Sequence, residues 1–479
     1  YAGKFQRFGW TALEISRLAV LGLLIGCLMV TNTWDYPTYL LVGLGAVFLS
    51  SYFRNGGLGV IVLLDTFLKS GLVLMVGYLA FLPYHLNYEA FFKSIVWTTN
   101  QTPLWQFLEI SGLFIFIIVS FLLIELRGRL FSLMVITRAK VFTSIGYSDY
   151  SETNKRFTAE GILSIWCLLG LLVISIISII FSTWTGSTIM FLLAILGLVL
   201  MVAVRIIGSS RPEKRQMMFV GMIISVAIML VIGVDIFRLE GDVGRMNSVF
   251  KFYLQIWVLF AVAASYMLWA MMQTRWVHLY KLVTLKRVWT SLLAALMIGA
   301  SIYTFMGTHD RIRDRFAPLP DKMTLDGMAY MDKAVYIDPN GPIELSYDKK
   351  AIEWIHNNIS GSPILMEGMT PMYRWGGRVS IYTGLPSVVG WKWHQEQQRW
   401  KYRHEVKNRI SDVNYIYRSL NTAQVLYLLR KYGVEYIYVG ALERLYYPED
   451  GIEKFNEMTD DMDVIYANKD VLIYKVRYK

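Results

Sequence analysis

Three stretches of the sequence concentrate side chains able to hold charge or move a proton. The first is Asn32-Thr33-Trp34-Asp35-Tyr36-Pro37. A carboxylate flanked by aromatic residues suits general acid or base work, and it equally suits an aromatic belt at a membrane boundary with a solvated Asp. The second runs from Asp235 through Arg238, Glu240, Asp242, Arg245 and Asn247 to Lys251. If a helix starts near Val243, Asn247 and Lys251 share a face at i,i+4, and its positive end lies beside Arg245. An Arg and a Lys at the lip of such a helix form a clamp of phosphate size. The rival reading is a salt-bridged loop in which Asp235, Glu240 and Asp242 neutralise Arg238, Arg245 and Lys251. The third opens with Glu367 and continues through Arg374-Trp375-Gly376-Gly377-Arg378, Tyr382 and Gly390-Trp391-Lys392-Trp393-His394-Gln395-Glu396 to Arg399 and Trp400. Aromatic faces stack on the apolar faces of sugars, and charged forks take hydroxyls and phosphates. A face that docks on a bilayer or on membrane helices would have the same composition.

Sharper signatures are missing. The sequence holds no P-loop, no G-x-G-x-x-G after a strand, no G-x-S-x-G, no H-E-x-x-H and no C-x-x-C. His394 with Glu396 has weak spacing for a metal pair, so no metal ligands are assigned. The residues demand no cofactor, and a divalent ion is the one alternative. His85, His278, His309, His356 and His404 have no partner pattern. Cys27 and Cys167 both lie in apolar runs, which argues against a disulfide framework. Asn100-Gln-Thr102 and Asn358-Ile-Ser360 are glycosylation sequons, a triplet frequent by chance.

The elements that must position these residues are membrane helices. Hydrophobic residues make up 55% of the chain and charged residues 17%, with mean hydropathy +0.41. A soluble chain carries about a quarter charged residues. A bilayer core needs roughly 20 apolar residues per helix. Runs of that order stand at about 12–31, 58–82, 108–126, 159–182, 187–206, 216–234, 250–272 and 288–308, with a shorter one at 37–53 that opens on Pro37. That predicts nine spans. Up to Thr308 the chain has 23 Lys+Arg against 13 Asp+Glu, and from His309 on 24 against 23. The basic surplus therefore belongs to the membrane part. Alternate loops divide it 17 to 4, with Lys93, Arg238, Arg245 and Lys251 as the minority. The positive-inside rule then puts the N-terminus in the cytoplasm and the tail outside. A nucleic-acid footprint is excluded as the cause of the basic balance.

The predicted architecture is thus an α-helical polytopic membrane domain over 1–308, a hinge over 309–322 and a C-terminal extracytoplasmic α/β domain over 323–479. In the tail, helical periodicity covers Ala351–Asn358, Val413–Leu420 and Ala423–Tyr432. Strands are predicted at Pro363–Met366, Val379–Tyr382, Val388–Trp391, Tyr436–Val439, Val464–Tyr466 and Val471–Val476. Their alternation implies a mixed or partly parallel sheet with helices packed on it.

Several motifs carry a resemblance. Asn32-Thr-Trp-Asp-Tyr-Pro-Thr-Tyr39, Gly244-Arg-Met-Asn-Ser-Val-Phe-Lys-Phe-Tyr253, Arg378-Val-Ser-Ile-Tyr-Thr-Gly-Leu-Pro386 with Gly390-Trp391, and Tyr436-Ile-Tyr-Val-Gly-Ala-Leu-Glu-Arg444 resemble segments of archaeal and bacterial membrane proteins named for a Tyr-Tyr-Tyr motif, a family of unknown function. That family is similar in turn to polytopic glycosyltransferases using polyprenyl-phosphate-linked sugars, the superfamily of oligosaccharyltransferases and protein mannosyltransferases. Those enzymes carry a catalytic acid in their first outer loop and end in an extracytoplasmic domain. The naming motif is absent here, since the only adjacent tyrosines are Tyr446-Tyr447. The resemblance places it in a region before Tyr1, on a separate polypeptide or a further segment. What it implies is transfer of a sugar from a lipid-phosphate donor at the outer face. Asp35 or Asp242 would supply the acid/base group, and Arg245, Lys251 and Arg238 would hold the donor phosphate. Glu367, Arg378, Tyr382, Trp391, His394, Glu396 and Arg399 would read the substrate. Expected partners are the lipid bilayer, the polyprenyl-phosphate-linked sugar and the polypeptide supplying the missing region. The alternatives are a non-catalytic scaffold subunit of a membrane or cell-envelope complex and, third, a transporter, for which Asp65 and Lys69 inside one span are the hint.

Overall fold

The computed structural model describes residues 10–90, 94–143, 159–209, 211–240, 244–273, 283–315 and 324–478. The chain divides into two compact units, Tyr1–Leu86 with Phe92–Ser301, and Asn87–Phe91 with Ile302–Lys479.

The first unit is built of long apolar helices: α1 (Ala12–Thr31), α2 (Asp35–Asn55), α3 (Val60–Ala80), the short α4 (Leu82–Asn87), α5 (Leu104–Thr143), α6 (Ala159–Thr185), α7 (Thr188–Ile207), α8 (Lys214–Ile236), α9 (Met246–Gln273) and α10 (Val283–Arg315). Every span read from the sequence falls on one of them. Among the described residues eight are long and apolar enough to cross a membrane, and α6 contributes the shorter apolar stretch Gly170–Thr185. The chain is a multi-pass membrane protein on that ground. Within lipid, helix pairing depends on close backbone approach at small residues, and α1 with α3 shows it. A Cβ on Gly26 would stand 2.4 Å from the Gly77 carbonyl oxygen, and one on Gly22 2.6 Å from that of Val73. The main core lies among α5, α7, α8 and α9, where Phe107, Ile118, Leu192, Ile224, Ile228 and Phe260 are fully buried.

Polar groups gather at the two ends of this bundle. At one end, Glu14 pairs with Arg54 at 2.9 Å and with Lys69 at 3.4 Å, and Lys69 pairs with Asp65 at 3.0 Å. The mid-span charges behind the transporter reading are therefore mutually neutralised. At the other end, β1 (Ile95–Trp97) and β2 (Phe237–Leu239) form an antiparallel ribbon between segments far apart in sequence. Helix α10 differs from expectation. It runs unbroken to Arg315, through the first part of the predicted hinge, because His309–Arg315 has no Pro or Gly to stop it.

The second unit holds a hairpin, β3 (Val335–Asp338) with β4 (Gly341–Glu344), and a four-stranded sheet of order β5 (Ile364–Met366), β6 (Val434–Val439), β8 (Leu472–Val476), β7 (Met462–Ala467). The β5–β6 pair is parallel and the others antiparallel, so the sheet is mixed as expected. Helices α11 (Leu345–Asn358), α12 (Arg378–Thr383), α13 (Lys392–Gln398), α14 (Arg403–Arg418), α15 (Thr422–Tyr432), α16 (Ala441–Tyr446) and α17 (Glu449–Glu457) surround it.

Two predicted strands are corrected. Val379–Tyr382 lies in helix α12, because the Glu367 carboxylate accepts the otherwise orphan N–H groups of Val379 (3.1 Å) and Ser380 (3.0 Å). Val388–Trp391 is irregular. Pro386 ahead of it has no N–H to donate, and Gly390 turns the backbone into the left-handed region.

Candidate functional site

The ribbon end of the membrane unit collects the first two sequence constellations around the start of α9. Asp35 is the first residue of α2, where the orphan N–H groups of a helix end favour a carboxylate. Its Oδ1 accepts a hydrogen bond from Gln255 Nε2 at 2.7 Å and its Oδ2 accepts one from Asn32 Nδ2 at 3.0 Å. Gln255 Nε2 also donates to the Trp34 carbonyl at 3.1 Å. One turn earlier on α9, the Lys251 ammonium stands over the Trp34 ring, 4.6 Å from its centroid, and Phe252 meets the same ring edge-on. Lys251 and Gln255 are i,i+4 neighbours, so one face of α9 presents a cation and an amide to the Trp34-Asp35 corner.

The second cluster is tighter. Asp235, in the last turn of α8, is fully buried, and its Oδ1 accepts from Arg245 Nη1 (2.6 Å), Thr102 Oγ1 (2.8 Å) and Thr102 N (3.2 Å). Arg245 also donates to Thr102 Oγ1 at 2.7 Å and to the Val234 carbonyl at 3.1 Å. Tyr253 closes the group with a 3.2 Å hydrogen bond to Thr102 Oγ1. The Asp235 Oδ2 has no hydrogen-bond partner among the described residues. The guanidinium of Arg245 is thus turned inward onto Asp235 and Thr102, while Lys251 faces Trp34. The two cations expected to form one clamp are divided between two jobs. Arg238 sits on β2 and reaches the Gly244 carbonyl at 3.4 Å, a long contact from an exposed ribbon. Asp242 lies outside the described residues.

In the second unit the predicted reading surface separates into interior and surface. Arg378 is 1% exposed. Its Nε donates to Asp348 Oδ2 at 2.8 Å, and its Nη1 and Nη2 donate to the two oxygens of Glu443 at 3.2 and 2.9 Å. Tyr438 Oη donates to the other Asp348 oxygen at 2.6 Å. Glu367 completes the group, 3.6 Å from Arg378. Burial raises the Glu367 pKa above the usual carboxylate range against the pull of Arg378. Burial also raises Glu443, but Arg378 and the backbone N–H groups outweigh it and hold that carboxyl low. Glu367 and Arg378 therefore organise the core of this unit and do not stand on a surface open to substrate. Tyr382 is tied by its hydroxyl to Tyr330 at 2.9 Å, and Arg399 is held by Gln395 on its own helical turn. Glu396 is buried, and its Oε1 has no hydrogen-bond partner among the described residues.

Trp391 and His394 do share an open cleft, with Met372, Tyr373, Arg374 and Lys392 along its walls. The indole N–H of Trp391 donates to the Gly376 carbonyl at 2.6 Å, which fixes the ring. Gly377 has φ +75°, and a Cβ there would fall 2.9 Å from the indole. Tyr373 stands 78% exposed with φ 61°, a conformation that costs a non-glycine residue energy and is enriched at functional sites. The centroid of the His394 ring is 5.4 Å from that of Trp391 and 6.4 Å from that of Tyr373. The cleft offers aromatic faces with the His394 imidazole beside them. Among the described residues, no group of three or more His, Cys, Asp or Glu side chains could hold a metal ion.

Residues 5–260 match the model of a family described as uncharacterized membrane protein (DUF2298). The chain belongs to this family. The DUF2298 match includes Asp35, Thr102, Asp235, Arg245, Lys251 and Gln255, so the whole ribbon-end cluster lies within it and the Trp391 cleft does not. None of the curated proteins compared with the chain matches it.

Thr102, Tyr253 and Gln255 were not singled out as site residues in the sequence. Gln255 carried a usable signal, since it is a polar residue inside an apolar span, one helical turn from Lys251. Thr102 stood out only as the last residue of a sequon. Its hydroxyl is buried and bound to Asp235, Arg245 and Tyr253.

Proposed function

We propose that this protein moves a sugar from a lipid-phosphate-linked donor at the outer face of the membrane. The observation that carries the reading is the convergence of Asp35, Gln255 and Lys251 at the Trp34 corner. An inverting transfer needs a carboxylate to take the proton of the acceptor hydroxyl and a cation to stabilise the leaving phosphate. Asp35 takes the first role and Lys251 the second. Arg245, bound to Asp235 and Thr102, anchors the start of α9 and so positions Lys251. In the second unit, taken by itself, Trp391 and His394 form an aromatic surface of the kind that stacks on a sugar face. The N-terminus is cytoplasmic and the C-terminal unit extracytoplasmic in this reading, on the strength of the 17-to-4 division of loop Lys and Arg.

A non-catalytic scaffold subunit is the second reading. What favours it is the commitment of Arg245, Glu367 and Arg378 to internal ion pairs. Mass spectrometry of lipid that co-purifies with the protein separates the two. A polyprenyl-phosphate lipid present in the wild type and lost in Lys251→Ala supports the transferase, and an unchanged lipid profile supports the scaffold.

A further inference from the structure

A cationic groove lies at the other end of the membrane unit from Asp35. Helix α2 starts at Asp35 and ends at Asn55, so its 21 residues separate the two places by about 30 Å. The groove is lined by Ala46, Leu49, Ser50, Phe53 and Arg54 of α2 and by Arg215 and Phe219 of α8. The spacing explains its shape. Positions 46, 49, 50, 53 and 54 form one stripe of α2, and 215 and 219 form one stripe of α8. Both arginines sit at a helix terminus, the level at which a span leaves the hydrocarbon, while the apolar lining continues about 12 Å inward.

Charge and depth together define the occupant. Arg54 is paired with Glu14 at 2.9 Å. Arg215 instead lies over the Phe53 ring, 5.7 Å from its centroid, and among the described residues it has no carboxylate partner. The groove thus presents a guanidinium at its mouth and an apolar floor below. At Leu49 it adjoins an apolar cavity of about 230 Å³ bounded by Gly45, Phe48, Phe121, Val199, Met222 and Met267. Gly45 lets the Met222 side chain approach α2 closely, since a Cβ there would stand 2.2 Å from its sulfur. A free anion would use only the mouth. A molecule with a phosphate head and an acyl chain uses both parts.

We propose that this groove holds an anionic phospholipid, with its phosphate on Arg215 and an acyl chain running past Leu49 between α2 and α8. A guanidinium takes a phosphate through two parallel N–H···O contacts. The site goes beyond the transfer reading, since its residues belong to the opposite end of the helices.

The test uses the full-length protein in nanodiscs of phosphatidylcholine alone or with phosphatidylglycerol, followed by native mass spectrometry of retained lipid. The wild type is expected to retain one phosphatidylglycerol in preference to phosphatidylcholine. Arg215→Ala should weaken that retention about fivefold, the effect of one basic residue at an anionic membrane surface. Ala46→Trp, which fills the floor with Arg215 intact, should give a similar loss. Arg287→Ala, a basic residue outside the groove, should change nothing. Equal retention of the two lipids, unchanged retention in Arg215→Ala, or displacement of the lipid by inorganic phosphate would each overturn the proposal.

Discussion

Replacing Arg245 by Ala should destabilise the membrane unit itself, and the size of the effect follows from the Asp235 environment. The Asp235 carboxylate is fully buried, and Oδ1 takes three hydrogen bonds, the shortest from Arg245. With the guanidinium removed, the charge keeps only the two neutral donors of Thr102, and Oδ2 still has none. Removing one partner of a buried ion pair costs about 3–5 kcal/mol. Arg245 retains 11% side-chain exposure, so some water reaches the gap and the lower end applies, about 3 kcal/mol. Adding Asp235→Asn removes the stranded charge while keeping an acceptor for Thr102. The double variant should recover about 2 kcal/mol relative to Arg245→Ala. Lys251→Ala, which removes an ammonium held over the Trp34 ring, should cost under about 1 kcal/mol. Equilibrium unfolding in a fixed detergent, with all four proteins compared, measures these differences. If Arg245→Ala is no less stable than Lys251→Ala, or if Asp235→Asn adds to its cost, Arg245 is not a structural anchor of α9.

Two further expectations follow from the packing. Gly26→Val should separate α1 from α3 and cost about 2 kcal/mol, because a side chain cannot occupy space 2.4 Å from the Gly77 carbonyl oxygen; a wild-type melting temperature would refute the close approach. Burial pushes the Lys454 amine down to about 8, partly offset by Asp450. Between about pH 8 and the unfolded value of about 10.4, the unfolded chain binds more protons, so this contribution makes the C-terminal unit more stable as pH rises. Above about pH 10 the trend reverses, since buried Tyr417 and Tyr438 keep their protons in the folded state and lose them when unfolded. Lys454→Met should abolish the rise and stabilise the unit at pH 7, as read by urea midpoints at pH 7 and 9.5; an unchanged rise would assign it to other groups.

The helices were the most legible part of the sequence, because about 20 consecutive apolar residues have few alternatives to a membrane span. The sheet was partly legible for a related reason. Tyr436–Val439 and Val471–Val476 are short apolar runs bounded by turn residues, and both are strands. Val379–Tyr382 has the same composition yet forms a helix, since what decides it is a carboxylate twelve positions earlier in the chain. The site divides along the same line. Asp35 and Lys251 were visible as polar residues at span ends, and the structure joins them through Trp34 and Gln255. The inward turn of Arg245 was not visible, because Thr102 lies 143 positions away. Nor was the interior position of Arg378, whose partners Asp348 and Glu443 lie 30 and 65 positions away. Periodicity reports which face of an element is apolar, and says nothing of which distant charge meets which.

Whether this protein transfers a sugar is decided by consumption of a polyprenyl-phosphate-linked sugar by the purified full-length protein in lipid, with release of the free lipid phosphate followed over time. The wild type is expected to release it, with a loss of at least about a hundredfold in Asp35→Asn, where the base is removed, and a comparable loss in Lys251→Ala. Release that is undiminished in Asp35→Asn, in a protein whose unfolding midpoint matches the wild type, would contradict the proposed transfer at Asp35.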